Sequence, residues 1–166
     1  MPETVRLVIE EWGNASVMNL DLYDLENTRY LARMPWMMTC TDGRTPAPGQ
    51  DVGHPRAAGA FPRKMRLFAL ESDDISVAFA IRSFSGLAAD FFGLTERGYI
   101  EEGRRADVVV LDLDRYRDLA TMEEPRLLSE GVVHLLVNGR FAIRDEQPTG
   151  IFAGEALRAP WEHTGG

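Results

Sequence analysis

The stretch MMTCTDGRTPAPGQDVGHPRAAGAFPRKMR, Met37 to Arg66, separates the folds open to this chain. It opens with the end of an apolar run, WMMTCTD, that is short and rich in β-forming residues and predicts a buried strand. From Gly43 to Pro62 it holds four prolines, which predict a loop of a length that is often functional in compact domains. Asp42 is therefore either a catalytic carboxylate at the end of a strand or a turn residue before a glycine.

Helix and strand patterns alternate on both sides of this stretch. Upstream, apolar spacing predicts a helix over 3–12, a strand over 15–22 and a helix over 24–34. Downstream, the segment RKMRLFALE predicts at least a helical turn. The order of helix, strand, helix, strand and loop is typical of βα units from a parallel sheet. Two strands cannot close a barrel alone, so the chain is expected to be the end of a larger protein.

The clearest helix covers 75–92, where apolar residues recur at steps of three and four. Asp73 or Asp74 is expected to cap its start and Gly93 to end it. A mostly β pattern follows, with a strand in ADVVVLDLD and a hairpin in GVVHLLVNGRFAIRD. The hairpin turn is expected at Asn138-Gly139, because Asn-Gly suits the positive φ angles of tight hairpin turns. The predicted domains are therefore 1–93 and 94–166.

Composition excludes several classes of function. The 166 residues suffice for one domain or a piece of a larger one, and the net charge of −8 disfavours nucleic acid as a partner. No apolar run is long enough to predict a membrane span, and the first residues do not resemble a secretory signal. The single cysteine, Cys40, cannot form an intrachain disulfide. These features predict a cytoplasmic protein.

Four segments resemble the C-terminal part of the D-aminoacylase (N-acyl-D-amino-acid deacylase) family of the amidohydrolase superfamily. The Thr-Asp-Gly, His-Pro-Arg and Phe-Pro-Arg series narrows the resemblance to this branch. The resemblance implies an α/β fold, the C-terminal end of a (β/α)₈ metal-dependent hydrolase barrel plus part of a small β-sandwich domain. The segments are CTDG at 40–43, HPRAAGAFPRKMR at 54–66, LTERGYIEEGRRADVVVLD at 94–112 and GVVHLLVNGRFAIRDEQPTGIFAGEALR at 131–158.

The resemblance also implies a reaction, in which a metal-activated water hydrolyses the amide of an N-acyl-D-amino acid. In this family the carboxylate that moves the proton ends the eighth strand, which corresponds to Asp42. Arg56 corresponds to a residue that binds the substrate carboxylate, although a loop-fixing ion pair is an equal alternative. His54 is expected to order the loop and, with Arg56, to be a substrate-binding residue.

The metal ligands of the superfamily are the feature that this sequence lacks. Zinc is expected in the complete family enzyme, yet the chain has three unpaired histidines and no His-x-His motif. Cys40, Asp42 and His54 are the one set that could form a zinc site here. The expectation is therefore a C-terminal portion that is inactive without an N-terminal metal-binding half. The alternative is a non-catalytic remnant that folds as a self-associating structural protein.

Overall fold

A computed structural model describes residues 3–10, 24–43 and 54–157. The chain divides into two compact units, Met1–Leu31 and Ala32–Gly166. The first unit contains helix α1, Glu3–Glu10, and most of α2, Leu25–Ala32, so both predicted upstream helices are present. The strand predicted over 15–22 lies outside the described residues. No helix in the described ranges has the length and apolar character needed to cross a membrane.

The second unit begins with a correction, because the predicted strand before Asp42 is not a strand. Residues 37–43 form no helix or strand, and Cys40 is exposed rather than buried. The Thr39 amide donates to the Ser83 carbonyl at 2.9 Å, and no strand of the described residues pairs with this segment. A β-ladder needs a neighbouring strand to receive its hydrogen bonds. The apolar run alone could not show whether that neighbour was present.

The predicted loop over 43–62 is corrected from residue 56 onward, because helix α3 occupies Arg56–Met65 and continues as a π-helical turn over Arg66–Leu70. Residues 44–53 of that loop lie outside the described residues. Pro62 lies inside α3, where a proline removes the hydrogen bond to the carbonyl four residues earlier. That carbonyl belongs to Ala58, and the Ser129 hydroxyl donates to it at 2.6 Å. A distant side chain thus supplies the bond that Pro62 cannot make, which permits a helix where the proline pattern predicted a loop.

We expect Ser129→Ala to destabilise the chain by about 1 kcal/mol, because the Ala58 carbonyl would lose its donor. Urea unfolding monitored by circular dichroism measures this change. Ser85→Ala is the control, since its hydroxyl also donates to a distant carbonyl, Gly98 O, at 3.1 Å, but not to one left unbonded by a proline. If the double variant Ser129→Ala/Pro62→Ala were no more stable than Ser129→Ala alone, the explanation would be wrong.

The long helix predicted over 75–92 is two helices, α4 over Val77–Phe84 and α5 over Gly86–Phe92. Ser76, and not Asp73 or Asp74, caps α4 by accepting from the Phe79 amide at 3.1 Å. Gly93 ends α5 with φ of 66°, as predicted. The break at Ser85 accompanies close packing of Tyr99, whose ring lies 2.7 Å from where a Cβ on Gly86 would stand.

The β-rich part is a four-stranded antiparallel sheet, in which the strands lie side by side in chain order. The predicted hairpin is confirmed, with Asn138 and Gly139 at φ of 49° and 75°. Asn138 is also held by its amide, which donates to Asp107 Oδ1 at 2.8 Å. The strands are β1, Val108–Leu111; β2, Val132–Val137; β3, Arg140–Arg144; and β4, Gln147–Pro148.

The core of the second unit lies among its helices. The buried positions of α4 and α5 are not the large apolar residues whose spacing predicted the helix. They are small residues such as Ala80 and Ala89. Ile81 and Phe91 remain 47% and 69% exposed. Between these helices and the sheet lies an apolar cleft of about 590 Å³. The core comprises Ala32, Met65, Phe68, Ile75 and Ala80, with Tyr116 and Phe84 packed against it.

Candidate active site

Asp42 lies at a turn in the left-handed region of backbone space, with φ of 45°. Its carboxylate is 79% exposed. The turn is held by the Gly43 amide, which donates to Thr41 Oγ1 at 3.1 Å. Aspartate tolerates this backbone conformation better than most residues. Asp42 can therefore be a turn residue and still have an accessible carboxylate, as a catalytic residue needs.

The residue after Asp42 sets the approach of this turn to helix α3. A Cβ on Gly43 would stand 3.0 Å from the Ala57 Cα and 3.1 Å from its Cβ. A glycine lets the backbone come this close, whereas a larger residue would push the turn away from the helix. The first turn of α3 and the turn at Asp42 are therefore in direct contact.

Arg56 and His54 join Asp42 at this contact. The Arg56 guanidinium Nη1 lies 2.9 Å from Asp42 Oδ2, and the Arg56 amide donates to His54 Nδ1 at 3.1 Å. Because Nδ1 accepts a hydrogen bond, a neutral His54 carries its proton on Nε2. The structure thus brings together the three residues predicted for the site. The Asp42–Arg56 contact is an ion pair, the type of interaction given as the alternative for Arg56, and the roles of the three residues stay predictions.

The predicted metal set does not come together in the same way. Across the described ranges, no group of three His, Cys, Asp or Glu side chains is placed to hold a metal ion. His54 already uses Nδ1 to accept from the Arg56 amide. Cys40, Asp42 and His54 therefore do not fit a zinc ion in this chain.

One polar cluster beside the site is not singled out by the sequence pattern. The Lys64 ammonium donates to Thr39 Oγ1 at 2.7 Å and to Ser83 Oγ at 3.0 Å. Ser83 is 2% exposed. Burial lowers the pKa of Lys64, because an apolar environment disfavours the charged amine. The available signal was that Lys64 is the only lysine among 18 basic residues.

The arrangement at 39–43 and 54–66 lies within a region shared with known proteins. The model of the Amidohydrolase family matches residues 16–143, which is most of the chain. This chain belongs to the amidohydrolase family. The amidohydrolase chain is 36% identical over 119 residues to an N-acyl-D-glutamate deacylase of Alcaligenes xylosoxydans xylosoxydans, covering 72% of the chain and 24% of the relative.

Two further comparisons agree with this membership. A D-aminoacylase of the same organism is 31% identical over 150 residues, which are 90% of this amidohydrolase chain and 30% of the relative. A solved N-acyl-D-glutamate deacylase of Bordetella bronchiseptica, complexed with zinc and a phosphonate inhibitor, superposes with a TM-score of 0.68 at 34% identity. That superposition covers 76% of this chain and 26% of the other. The resemblance to deacylases is confirmed, and the chain spans less than a third of the length of these relatives.

Proposed function

We propose that this chain supplies one part of an amidohydrolase active site that hydrolyses N-acyl-D-amino acids to a carboxylate and a D-amino acid. The observation that carries the proposal is the pair of Asp42 and Arg56, joined at 2.9 Å with both side chains accessible to solvent. A base and a carboxylate-binding cation are the two groups that this reaction needs besides the activated water. The deacylase relatives support the substrate class.

Arg56 is proposed to bind the free α-carboxylate of the substrate. Its guanidinium can form two parallel hydrogen bonds to a carboxylate, and it is 47% exposed. In the structure that position is filled by Asp42. A substrate carboxylate would therefore exchange with Asp42 on the guanidinium, and this exchange would free Asp42 to act as a base.

Asp42 is proposed as the general base and then the general acid. It takes one proton from a water as the water oxygen attacks the acyl carbon. When the carbon–nitrogen bond breaks, Asp42 returns that proton to the leaving amine, so the carboxylate is regenerated. No ligand of the family's zinc is assigned in this chain; the N-terminal half would hold it, where it would lower the pKa of the attacking water.

We also propose how the chain fits the family plan. Residues 1–93 would contribute the last βα units of the barrel and 94–166 part of a β-sandwich domain. Residues 37–43 would then take the place in the chain that the eighth strand has in the family plan. The apolar cleft and the exposed Val109 and Val110 of β1 support this proposal, because these surfaces are left for other parts of an enzyme to cover. The required partner is an N-terminal amidohydrolase half.

The test is reconstitution with an N-terminal half of a deacylase relative that carries the His-x-His motif. We expect hydrolysis of N-acetyl-D-amino acids only in the mixture with zinc, measured as release of the free amino group. Each half alone and the N-acetyl-L-amino acids are the controls. A complex that binds zinc but hydrolyses no N-acyl-D-amino acid would overturn the proposal. The self-associating remnant finds no support in the comparisons, and a stable homo-oligomer that excludes the N-terminal half would revive it.

A further inference from the structure

Lys64 fastens the segment that carries Asp42 to helix α4. Its ammonium donates to the Thr39 and Ser83 hydroxyls, which are themselves 3.1 Å apart. The Ser83 hydroxyl donates to the Ala80 carbonyl at 2.7 Å, so Ser83 Oγ is free to accept from Lys64 and Thr39. All polar groups of this cluster thus have consistent donor and acceptor roles.

The charge of Lys64 is not explained by an ion pair. Among the described residues no carboxylate lies within ion-pair distance of its Nζ, and its other neighbour is the Phe84 ring, 5.8 Å away. Burying an ammonium partly, without a carboxylate beside it, costs free energy, so surface charge does not explain a lysine at this position. Lysine offers a compact, tetrahedral donor that reaches two adjacent hydroxyls, which a planar guanidinium does less well. Every other basic residue in the chain is an arginine.

Helix α3 holds both ends of the same segment. Ala57 contacts Gly43, and Lys64 contacts Thr39. Ala57 and Lys64 are two helical turns apart, so they share one face of α3 and are separated by about 10.5 Å along it. The five residues from Thr39 to Gly43 are joined by four Cα–Cα steps, which span at most about 14 Å. The segment is therefore long enough to reach both positions, and α3 contacts it at Thr39 and at Gly43.

We propose that Lys64 is a positioning residue, which fixes residues 39–43 through Thr39 and Ser83 and thereby holds Asp42 in place for hydrolysis. Its catalytic consequence rests on the proposed function, whereas the fixing itself does not. Lys64 does not touch the reacting atoms. It acts through a segment whose far end carries the base.

Cys40 gives a direct readout, because it is the only cysteine, is exposed and lies beside Thr39. A nitroxide attached to Cys40 reports the mobility of residues 39–43 in the chain alone. We expect the lines of its electron paramagnetic resonance spectrum to narrow in Lys64→Met and in Thr39→Val. Thr39→Val replaces only the hydroxyl, by a methyl group. The control is Arg63→Met, the neighbouring helix position, whose guanidinium lies 3.6 Å from Asp118 instead. Arg63→Met should leave the lines unchanged.

The second readout is activity in the reconstituted enzyme without the label. Both Lys64→Met and Thr39→Val should lower kcat by about 10²-fold, because a misplaced base loses its geometry. KM should stay near the unmodified value, since Arg56 is not altered. Unchanged spectral lines in both variants would overturn the fixing role, and narrowed lines with unchanged kcat would overturn the positioning role.

The outcomes separate this inference from the proposed function. If the unmodified chain shows no activity in any zinc-bound mixture, the proposed function fails, while narrowed lines would still support the fixing of residues 39–43. If Lys64→Met loses its thermal unfolding transition, Thr39→Val decides, because it removes one hydroxyl with almost no change in volume.

Discussion

The Asp42→Asn variant is expected to lose about 10³-fold in kcat in the reconstituted enzyme, because an amide cannot take the proton from water. The structure indicates that this substitution would affect catalysis with little effect on the stability of the fold. The carboxylate is 79% exposed, and among the described residues it makes one ion pair, to Arg56. Exposed ion pairs contribute at most about 1 kcal/mol to stability. The fold should therefore survive, and steady-state kinetics on N-acetyl-D-amino acids would report chemistry rather than unfolding.

Thr41→Val is the control for Asp42→Asn, because it removes the hydroxyl that accepts from the Gly43 amide but keeps the carboxylate that can take the proton. It should lower kcat less than Asp42→Asn does. A loss of less than about tenfold in Asp42→Asn would mean that another group is the base. Circular dichroism of the variant chain would show first that the helices and the sheet are retained.

Gly131→Ala is expected to have the largest effect on stability, about 4 kcal/mol. Gly131 lies just before β2 with φ of 87°, and an added Cβ would stand 2.5 Å from the Tyr116 Cα and 2.6 Å from its nitrogen. Those atoms belong to the backbone, so they cannot move aside as a flexible side chain would. The Gly131 carbonyl also accepts from the Asp112 amide at 2.9 Å, which ties the strain to the end of β1.

Gly103→Ala separates the backbone strain of a positive φ from the steric clash with Tyr116. Gly103 has nearly the same φ, 85°, but no atom lies within 4 Å of the position of its Cβ. Its substitution should cost only the backbone strain, about 1 kcal/mol. Urea unfolding of both variants measures the difference. Equal losses in the two would show that the close approach of Tyr116 does not matter.

Local sequence signals predicted the elements whose hydrogen bonds are local. The hairpin at Asn138-Gly139, the end of α5 at Gly93 and the two upstream helices are confirmed. The turn at Asp145-Glu146 was missed, because both residues have positive φ, 51° and 64°, without a glycine to announce it.

The wrong predictions concern elements that depend on distant residues. Helix α3 occupies a segment where prolines indicated a loop, and the distant Ser129 donates to the Ala58 carbonyl that Pro62 leaves without its helical donor. The strand before Asp42 is absent where apolar residues indicated one, because no described strand lies beside it. The helix over 75–92 is broken at Ser85, where Tyr99 packs on Gly86. Each outcome is set by tertiary contact, which a local pattern does not contain.

For the candidate site as well, local sequence signals were informative and contacts between distant residues were missed. The sequence placed Asp42 at a turn, but the family resemblance supplied the roles proposed for Asp42, Arg56 and His54. The geometry then joined these three residues in one place. Lys64 was missed because its two partners lie 25 and 19 residues away in the chain. Only its rarity in the composition could have drawn attention to it.

The hydrogen bond from Ser129 to the Ala58 carbonyl joins residues that are 71 positions apart. During synthesis, helix α3 would therefore emerge from the ribosome well before the side chain that completes it. Contacts of such long sequence separation form late, because a large loop must close first. Until then the Ala58 carbonyl of α3 would lack this donor, so the Asp42 turn that packs on α3 would take its final form only after Ser129 has been made.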